Sequence, residues 1–346
     1  MQAGGGLDDI DTYLVRSQVV GLLGGRATPT FGIRWTEGES SLQESFIAES
    51  NTIQMPPRLG HGFRKMMTAE ATTTVLPPEF RDVHALLFDV FGTVVDWRST
   101  VVAELIKRGR EKSNSPASDS LAPALRTRLA ELTDADWATF AQQWRTSYGK
   151  FTKGFVPGET AWKDIDTHHY DSLLELLGDW GLSGVFTEEE VRSLSLVWHR
   201  LQPWTDTAEG LKRLGTRFTT STLSNGNQQL LQDLNEHGKL GFHRIISSAD
   251  FKAYKPNPKT YLGAVAALGW QPGECALVAA HLGDLQAARS CGLRTVYVER
   301  PREEDWATQP ELIEDARTWV DVWVSSDQDG FVEVARRLGI PGGGER

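Results

Sequence analysis

Four apolar runs in this sequence lead into side chains that could share one reaction. VHALLFDVFG carries Asp89 at its end, and FTTSTLSN (218–225) closes on Ser224 and Asn225. Lys255 follows RIISSAD (244–250), and Asp284 follows CALVAA (275–280). A carboxylate can act as nucleophile or base, a hydroxyl or amide can hold an anion, and an ammonium can steady both. Asp, Ser and Asn are also common at strand ends as turn formers. Singly each residue is ambiguous; four groups at equivalent places favour one site.

Such groups converge only if the runs lie side by side. Further runs of the same kind occur at RTVYVE (294–299) and DVWVSS (321–326). Apolar on both faces, they have the pattern of strands buried in a parallel sheet. Helical patterns alternate with them, in NQQLLQDLNEHG, PNPKTYLGAVAALG and DLQAARSCG. The alternation predicts an α/β fold: a Rossmann-like, doubly wound parallel sheet with helices on both faces. Ligands of such sheets bind outside the carboxyl ends of the strands.

The stretch from Trp97 to Leu201 breaks the alternation. VVAELIKRGREK, APALRTRLAEL, DWATFAQQWRTSYGKF, THHYDSLLELLGDWG and TEEEVRSLSLVWHRL all read as helix. The expected organisation is a core of residues 81–97 and 208–346 with a helical cap, 98–207, inserted after the first strand. QPWTDT (202–207) is its hinge, where Pro203 stops the last helix. Residues 1–80, rich in Gly, Ser, Thr and Pro without periodicity, read as a poorly ordered extension. Met66–Met67, just before the first strong strand, is a candidate natural start of translation.

Composition excludes several classes. A net charge of −10 without a basic stripe argues against a nucleic-acid partner, and an anionic substrate would need a local cluster of cations. No apolar stretch approaches the ~20 residues of a membrane span. Cys275 and Cys291 sit in apolar settings outside any CxxC or metal spacing, which fits a reducing compartment, the cytoplasm, and no catalytic thiol. No basic flank precedes an apolar run at the N-terminus, and Asp8, Asp9 and Asp11 are unlike a transit peptide, so no targeting segment is expected. His168–His169 lacks the i,i+4 spacing of a helical metal pair, and LLGGRATPT lacks the Lys of a phosphate loop.

FDVFGTVVDW (88–97), TLSNG (222–226), YKPNPKTY (254–261) and VAAHLGD (278–284) resemble, in order and spacing, the four motifs of the haloacid dehalogenase superfamily. The resemblance covers residues 83–340 and is closest to the type II L-2-haloacid dehalogenases. It implies hydrolysis of a carbon–halogen bond beside a carboxylate, with Asp89 as covalent nucleophile. Superfamily phosphatases carry a second acid two residues after the nucleophile, to protonate the leaving oxygen and help hold Mg²⁺. Here that position is Phe91, which can do neither. A halide leaves unprotonated, so no metal and no cofactor is expected.

The same resemblance distributes roles. Asp89 forms an ester and expels halide; Thr93 orients Asp89; Ser224 and backbone N–H groups hold the substrate carboxylate with Lys255. Asp284 activates the water that opens the ester. QQWRTSY (142–148) resembles the segment whose Arg meets the leaving halide, which gives Arg145 that role beside Asn225. Tyr261 positions its neighbours, and Phe91 walls the pocket with lid aromatics. The fourth motif departs from the family. Ala279 and His281 stand where Ser and Asn are usual, and Gly283 where an aromatic is. His281 could donate in place of an amide, act as a base with a pH limb near the usual value of about 6.5, or be structural. The expected partner is a small carboxylate substrate, with room for a homodimer. The alternatives are a phosphate-ester hydrolase and a catalytically idle interaction protein.

Overall fold

The computed structural model describes residues 75–115 and 121–342. Residues 1–74, including the Met66–Met67 start expected from sequence, lie outside the described residues. The described part falls within one compact unit, 69–346. The last residues of the expected extension form a 3-10 turn, Pro78–Phe80, whose Phe80 is fully buried.

β1 (Ala85–Phe88) is followed by the short β2 (Val95–Asp96) and a run of helices. These are α1 (Trp97–Asn114), α2 (Pro123–Glu131), α3 (Asp134–Gly154), α4 (Ile165–Asp179) and α5 (Glu188–Ser195). A 3-10 turn, Leu196–Arg200, leads into β3 (Gln202–Pro203) and α6 (Thr207–Leu214). There follow β4 (Thr219–Thr222), α7 (Gln228–His237), α8 (Pro258–Leu268), β5 (Cys275–Ala279), α9 (Leu282–Ser290) and β6 (Arg294–Val298). α10 (Pro310–Trp319), β7 (Val322–Val324) and α11 (Gly330–Arg337) complete the described chain.

The main sheet has the order β4-β1-β5-β6-β7, and every pair is parallel. Alternation along β1 feeds two cores. Leu86 and Phe88 pack on the face that holds Leu211 of α6, Leu231 of α7 and Phe331 of α11. Ala85 and Leu87 pack with Val265 of α8, Leu285 of α9 and Ala316 of α10. Both faces are covered, which is why the strands show no polar side in sequence. Phe88 pairs with Thr222 on one flank and Val278 on the other, so the chain after β1, β4 and β5 emerges along one edge. Strand order reverses there, the place where parallel sheets bind ligands.

One expected strand does not form. Residues 244–250 touch β4 and its extension only through isolated bridges, Ser221 to Arg244 and Ser224 to Ser247. The Thr222 hydroxyl both accepts from Ile246 N (2.9 Å) and donates to Ile246 O (3.0 Å), taking the place of ladder bonds. The Ser247 side chain then accepts from Ala249 N and opens a 3-10 turn, Ser248–Phe251. Side chains that bond nearby backbone offer the chain an alternative to a strand.

The helical run leaves and re-enters the core through one stem. β2 pairs antiparallel with β3, Val95 opposite Pro203 and Asp96 opposite Gln202. Asp96 also caps α1, its carboxylate accepting from Ser99 N at 3.0 Å. A buried bidentate pair braces the stem: Arg300 donates to both oxygens of Asp206 (2.7 and 2.8 Å) and to Thr93 O (3.1 Å).

Candidate active site

Asp89 is the residue directly after β1, and its N–H still donates to Val278 O of β5 (3.0 Å). The chain turns sharply behind it, with Gly92 at φ +86°. That turn returns Thr93 to Asp89, where its hydroxyl donates to Oδ2 (2.7 Å) and accepts from Ala280 N (2.9 Å). One hydroxyl thereby ties the nucleophile candidate to the end of β5.

Lys255 lies in the loop before α8 and is anchored by its own N–H, which donates to Asn225 Oδ1 (2.7 Å). Its Nζ bridges Asp89 Oδ1 (2.8 Å) and Asp284 Oδ2 (2.6 Å). Asp284, in the first turn of α9, accepts from the Tyr261 hydroxyl at 2.5 Å. Burial by itself would raise the Asp89 carboxyl, but Lys255 and His281 outweigh it and hold it well below the usual carboxylate range. Burial would likewise discharge Lys255; Asp284 and Asp89 instead hold its ammonium above its ordinary value.

His281 lies between β5 and α9, with Nδ1 3.1 Å from Asp89 Oδ2 and Nε2 3.6 Å from Glu303 Oε2. Burial pushes the ring down, but the hydrogen bond to Asp89 and the charges of both carboxylates push it up to about 10. Two carboxylates on the ring favour its protonated form, which counts against a base titrating near 6.5, one of the roles open to His281 from sequence.

A cavity of about 540 Å³ opens over these groups. Asp89, Asn225, Lys255, His281 and Asp284 line its floor side, and Arg145 and Tyr148 of α3 line its helical side. Arg145 and Tyr148 are three residues apart and share a face of α3. The guanidinium carbon stands 4.5 Å from the Tyr148 ring, 5.7 Å from Trp97 and 5.8 Å from Phe91. Arg145 has neither a carboxylate nor a hydrogen-bond partner among the described residues. The local cluster of cations expected for an anionic substrate is present, since Arg98, Lys150, Lys153 and Arg302 line the same cavity.

Besides Thr93, which is fully buried beneath Asp89, three sequence candidates stand back from the wall. Ser224 is almost fully buried, its Oγ accepting from Gly226 N (3.3 Å), so Asn225 alone of that pair lines the cavity. Its expected hold on the substrate carboxylate is therefore not made from the wall in this structure. Phe91 is also buried, against Tyr148 and Trp198, and reaches the site only as a face toward Arg145. Tyr261 is fully buried behind Asp284. At Gly283, the Trp306 ring stands 3.8 Å from where a Cβ would be, so this loop supplies the aromatic wall that position lacks.

Tyr148, Trp97 and Glu303 were not singled out from sequence. Tyr148 was within reach through its spacing from Arg145, and Trp97 ends the first motif. Glu303 gave no signal, being one acid in the loop PREEDW.

The residues do not fit a Mg²⁺ site of the phosphatase kind. The Phe91 side chain offers no oxygen ligand and no acid, and the Lys255 ammonium lies between Asp89 and Asp284.

A family model for haloacid dehalogenase-like hydrolases matches residues 83–292. The chain is 27% identical over 236 residues to (S)-2-haloacid dehalogenase 1 of Pseudomonas sp. (strain CBS-3), covering 66% of this chain and 90% of that protein. It resembles the crystal structure of an L-2-haloacid dehalogenase at 31% identity and a TM-score of 0.60, covering 74% of this chain and 99% of the other. A defluorinating L-2-haloacid dehalogenase matches at 29% identity and a TM-score of 0.60, covering 77% and 99%.

Proposed function

The chain belongs to the haloacid dehalogenase-like hydrolases, and we propose that it hydrolyses a small (S)-2-haloalkanoic acid to the 2-hydroxy acid through an ester on Asp89. The observation that carries this reading is Asp89 itself: a buried, ionised carboxylate at the cavity floor, with Phe91 where a phosphatase needs its acid.

Asp89 attacks the carbon bearing the halogen, and the C–X electron pair leaves as halide. Arg145, flanked by aromatic faces and lacking an internal anion, receives it. Lys255 keeps Asp89 ionised before attack. Asn225 and the cation-lined wall hold the substrate carboxylate. Water then adds to the ester carbonyl carbon, giving a proton to Asp284, which Tyr261 and Lys255 aim.

Halide release from a panel of (S)-2-haloacids, with and without chelator, tests the reading. Release is expected to be insensitive to chelator. Asp89→Asn should lower turnover by roughly 10⁴-fold or more while retaining the thermal transition. Halide release at the full rate by that variant would remove Asp89 as nucleophile, and activity that disappears with chelator would move the chain to phosphoryl chemistry.

A further inference from the structure

The two oxygens of Asp89 are not equivalent. Oδ2 faces two donors, the Thr93 hydroxyl at 2.7 Å and His281 Nδ1 at 3.1 Å, whereas Oδ1 has Lys255 Nζ at 2.8 Å. The less engaged Oδ1 keeps a lone pair available to attack. In the ester that follows, Oδ2 is the carbonyl oxygen, and the addition of water places negative charge on it. We propose that His281 is the oxyanion donor of the ester-hydrolysis step, and that Glu303 is the positioning residue that keeps its ring in place and charged. The proposal rests on the dehalogenase reading and goes beyond it in naming the second step's machinery.

Glu303 is built into the site. It is nearly fully buried, and the Trp97 indole donates to its Oε2 at 3.0 Å. A Cβ at position 92 would lie 2.1 Å from the same oxygen, so the glycine there makes room for the carboxylate. The loop is tied down three residues earlier, where Arg300 grips Asp206 and the Thr93 carbonyl. The two donors of Oδ2 therefore share a support: Arg300 holds the Thr93 backbone, and its loop carries the carboxylate that faces His281.

The reason for a second carboxylate lies in the sequence of charges. Before attack, Asp89 is itself a counter-ion for the imidazolium. Once Oδ1 is bonded to carbon, that charge is gone, and Glu303 is the carboxylate still facing the ring. His281 can thus remain an imidazolium when water adds to the carbonyl carbon, passes one proton to Asp284 and leaves an oxyanion on Oδ2. Collapse breaks the bond from the carbonyl carbon to Oδ1. The 2-hydroxy acid departs with that oxygen and the proton from Asp284, and Asp89 is regenerated as a carboxylate with the oxygen of water, whose second proton passes to solvent. A charged donor aimed at the developing oxyanion gives a stronger hydrogen bond than a neutral one.

The experiment separates the two steps in the full-length protein, using (S)-2-chloropropionate, rapid quench and intact-mass detection of the Asp89 adduct. In Glu303→Gln, which keeps an oxygen for Trp97 but loses the charge, hydrolysis should slow about tenfold or more. Alkylation should stay within about threefold of the unmutated rate, and the adduct should accumulate. His281→Asn should show the same split, and adding Glu303→Gln to it should cost little more, because both changes act on one group. If Glu303→Gln does not fold, Glu303→Asp, which retains the charge on a shorter arm, should still show a partial build-up of adduct.

A Glu303→Gln protein that slows both steps alike, or whose cost persists undiminished beside His281→Asn, would make Glu303 a packing residue and overturn the proposal. Ester hydrolysis at the unmutated rate in either single variant would overturn it while leaving the dehalogenase reading intact. An unmutated protein that forms no adduct and releases no halide from 2-haloacids would overturn both.

Discussion

At the residue scale, the site is a chain of alternating charge in which each member fixes the next. Glu303 faces His281, His281 faces Asp89, and Lys255 bridges Asp89 to Asp284. The pH behaviour follows from the signs. His281 rises from its ordinary value of about 6.5 to about 10. Its contribution to stability is complete below the ordinary value and is lost as pH rises through about 10. Asp89 is depressed, so its contribution is present above the ordinary carboxylate value and is lost only as pH falls through a folded value well below it. Turnover limited by ester hydrolysis should therefore be flat between roughly pH 6 and pH 8 and fall on the alkaline side as His281, raised to about 10, loses its proton. A limb near 6.5 would return His281 to the role of neutral base.

At the scale of elements, the helical run is held to the core by more than its stem. His199, in the 3-10 turn before β3, contacts Asp233 of α7 at 2.7 Å and Asp166 of α4 at 2.9 Å. Asp166 also accepts from the Asn227 side chain at 2.8 Å, two residues beyond Asn225. Burial opposes charge on His199, but hydrogen bonds to Asp166 and Asp233 raise it above its ordinary value. Its stabilising effect is therefore complete below about pH 6.5 and fades as pH rises through the raised value. His199→Gln should cost about 1–3 kcal/mol at pH 6. Thermal melts of both proteins from pH 6 to pH 9 should show the gap narrowing as pH rises. A gap that stays constant would mean that His199 acts through packing alone.

At the scale of the whole molecule, residues 1–66 carry the composition of a poorly ordered extension, rich in Gly, Ser, Thr and Pro without periodicity. Removal of residues 1–66 should accordingly leave kcat/KM and Tm within error, as measured on both purified proteins. A loss in either would assign the segment a contact with the 69–346 unit. The overall charge of −10 opposes anion approach, and the cations of the cavity, Arg98, Arg145, Lys150, Lys153, Lys255 and Arg302, answer it locally. No helix among the described residues is long and apolar enough to cross a membrane.

What the sequence determined by itself is what depends on local pattern. The parallel sheet was legible because strands covered on both faces are apolar throughout, and the helical run because 3.6-residue periodicity survives without knowledge of its partners. Asp89, Lys255 and Asp284 were legible because they stand at fixed offsets from such elements. Residues 244–250 misled because a β-rich composition does not reveal that the Thr222 hydroxyl will take the backbone bonds a strand would use. Ser224 and Asn225 are adjacent in sequence, and only packing decides which one reaches the cavity. His281 was visible as a departure, but its charge depends on Asp89 and on Glu303, the latter 22 residues away along the chain and 3.6 Å away in space. Electrostatic coupling falls off with distance through space and not with separation along the chain, so the protonation of the site is a property of the tertiary structure alone.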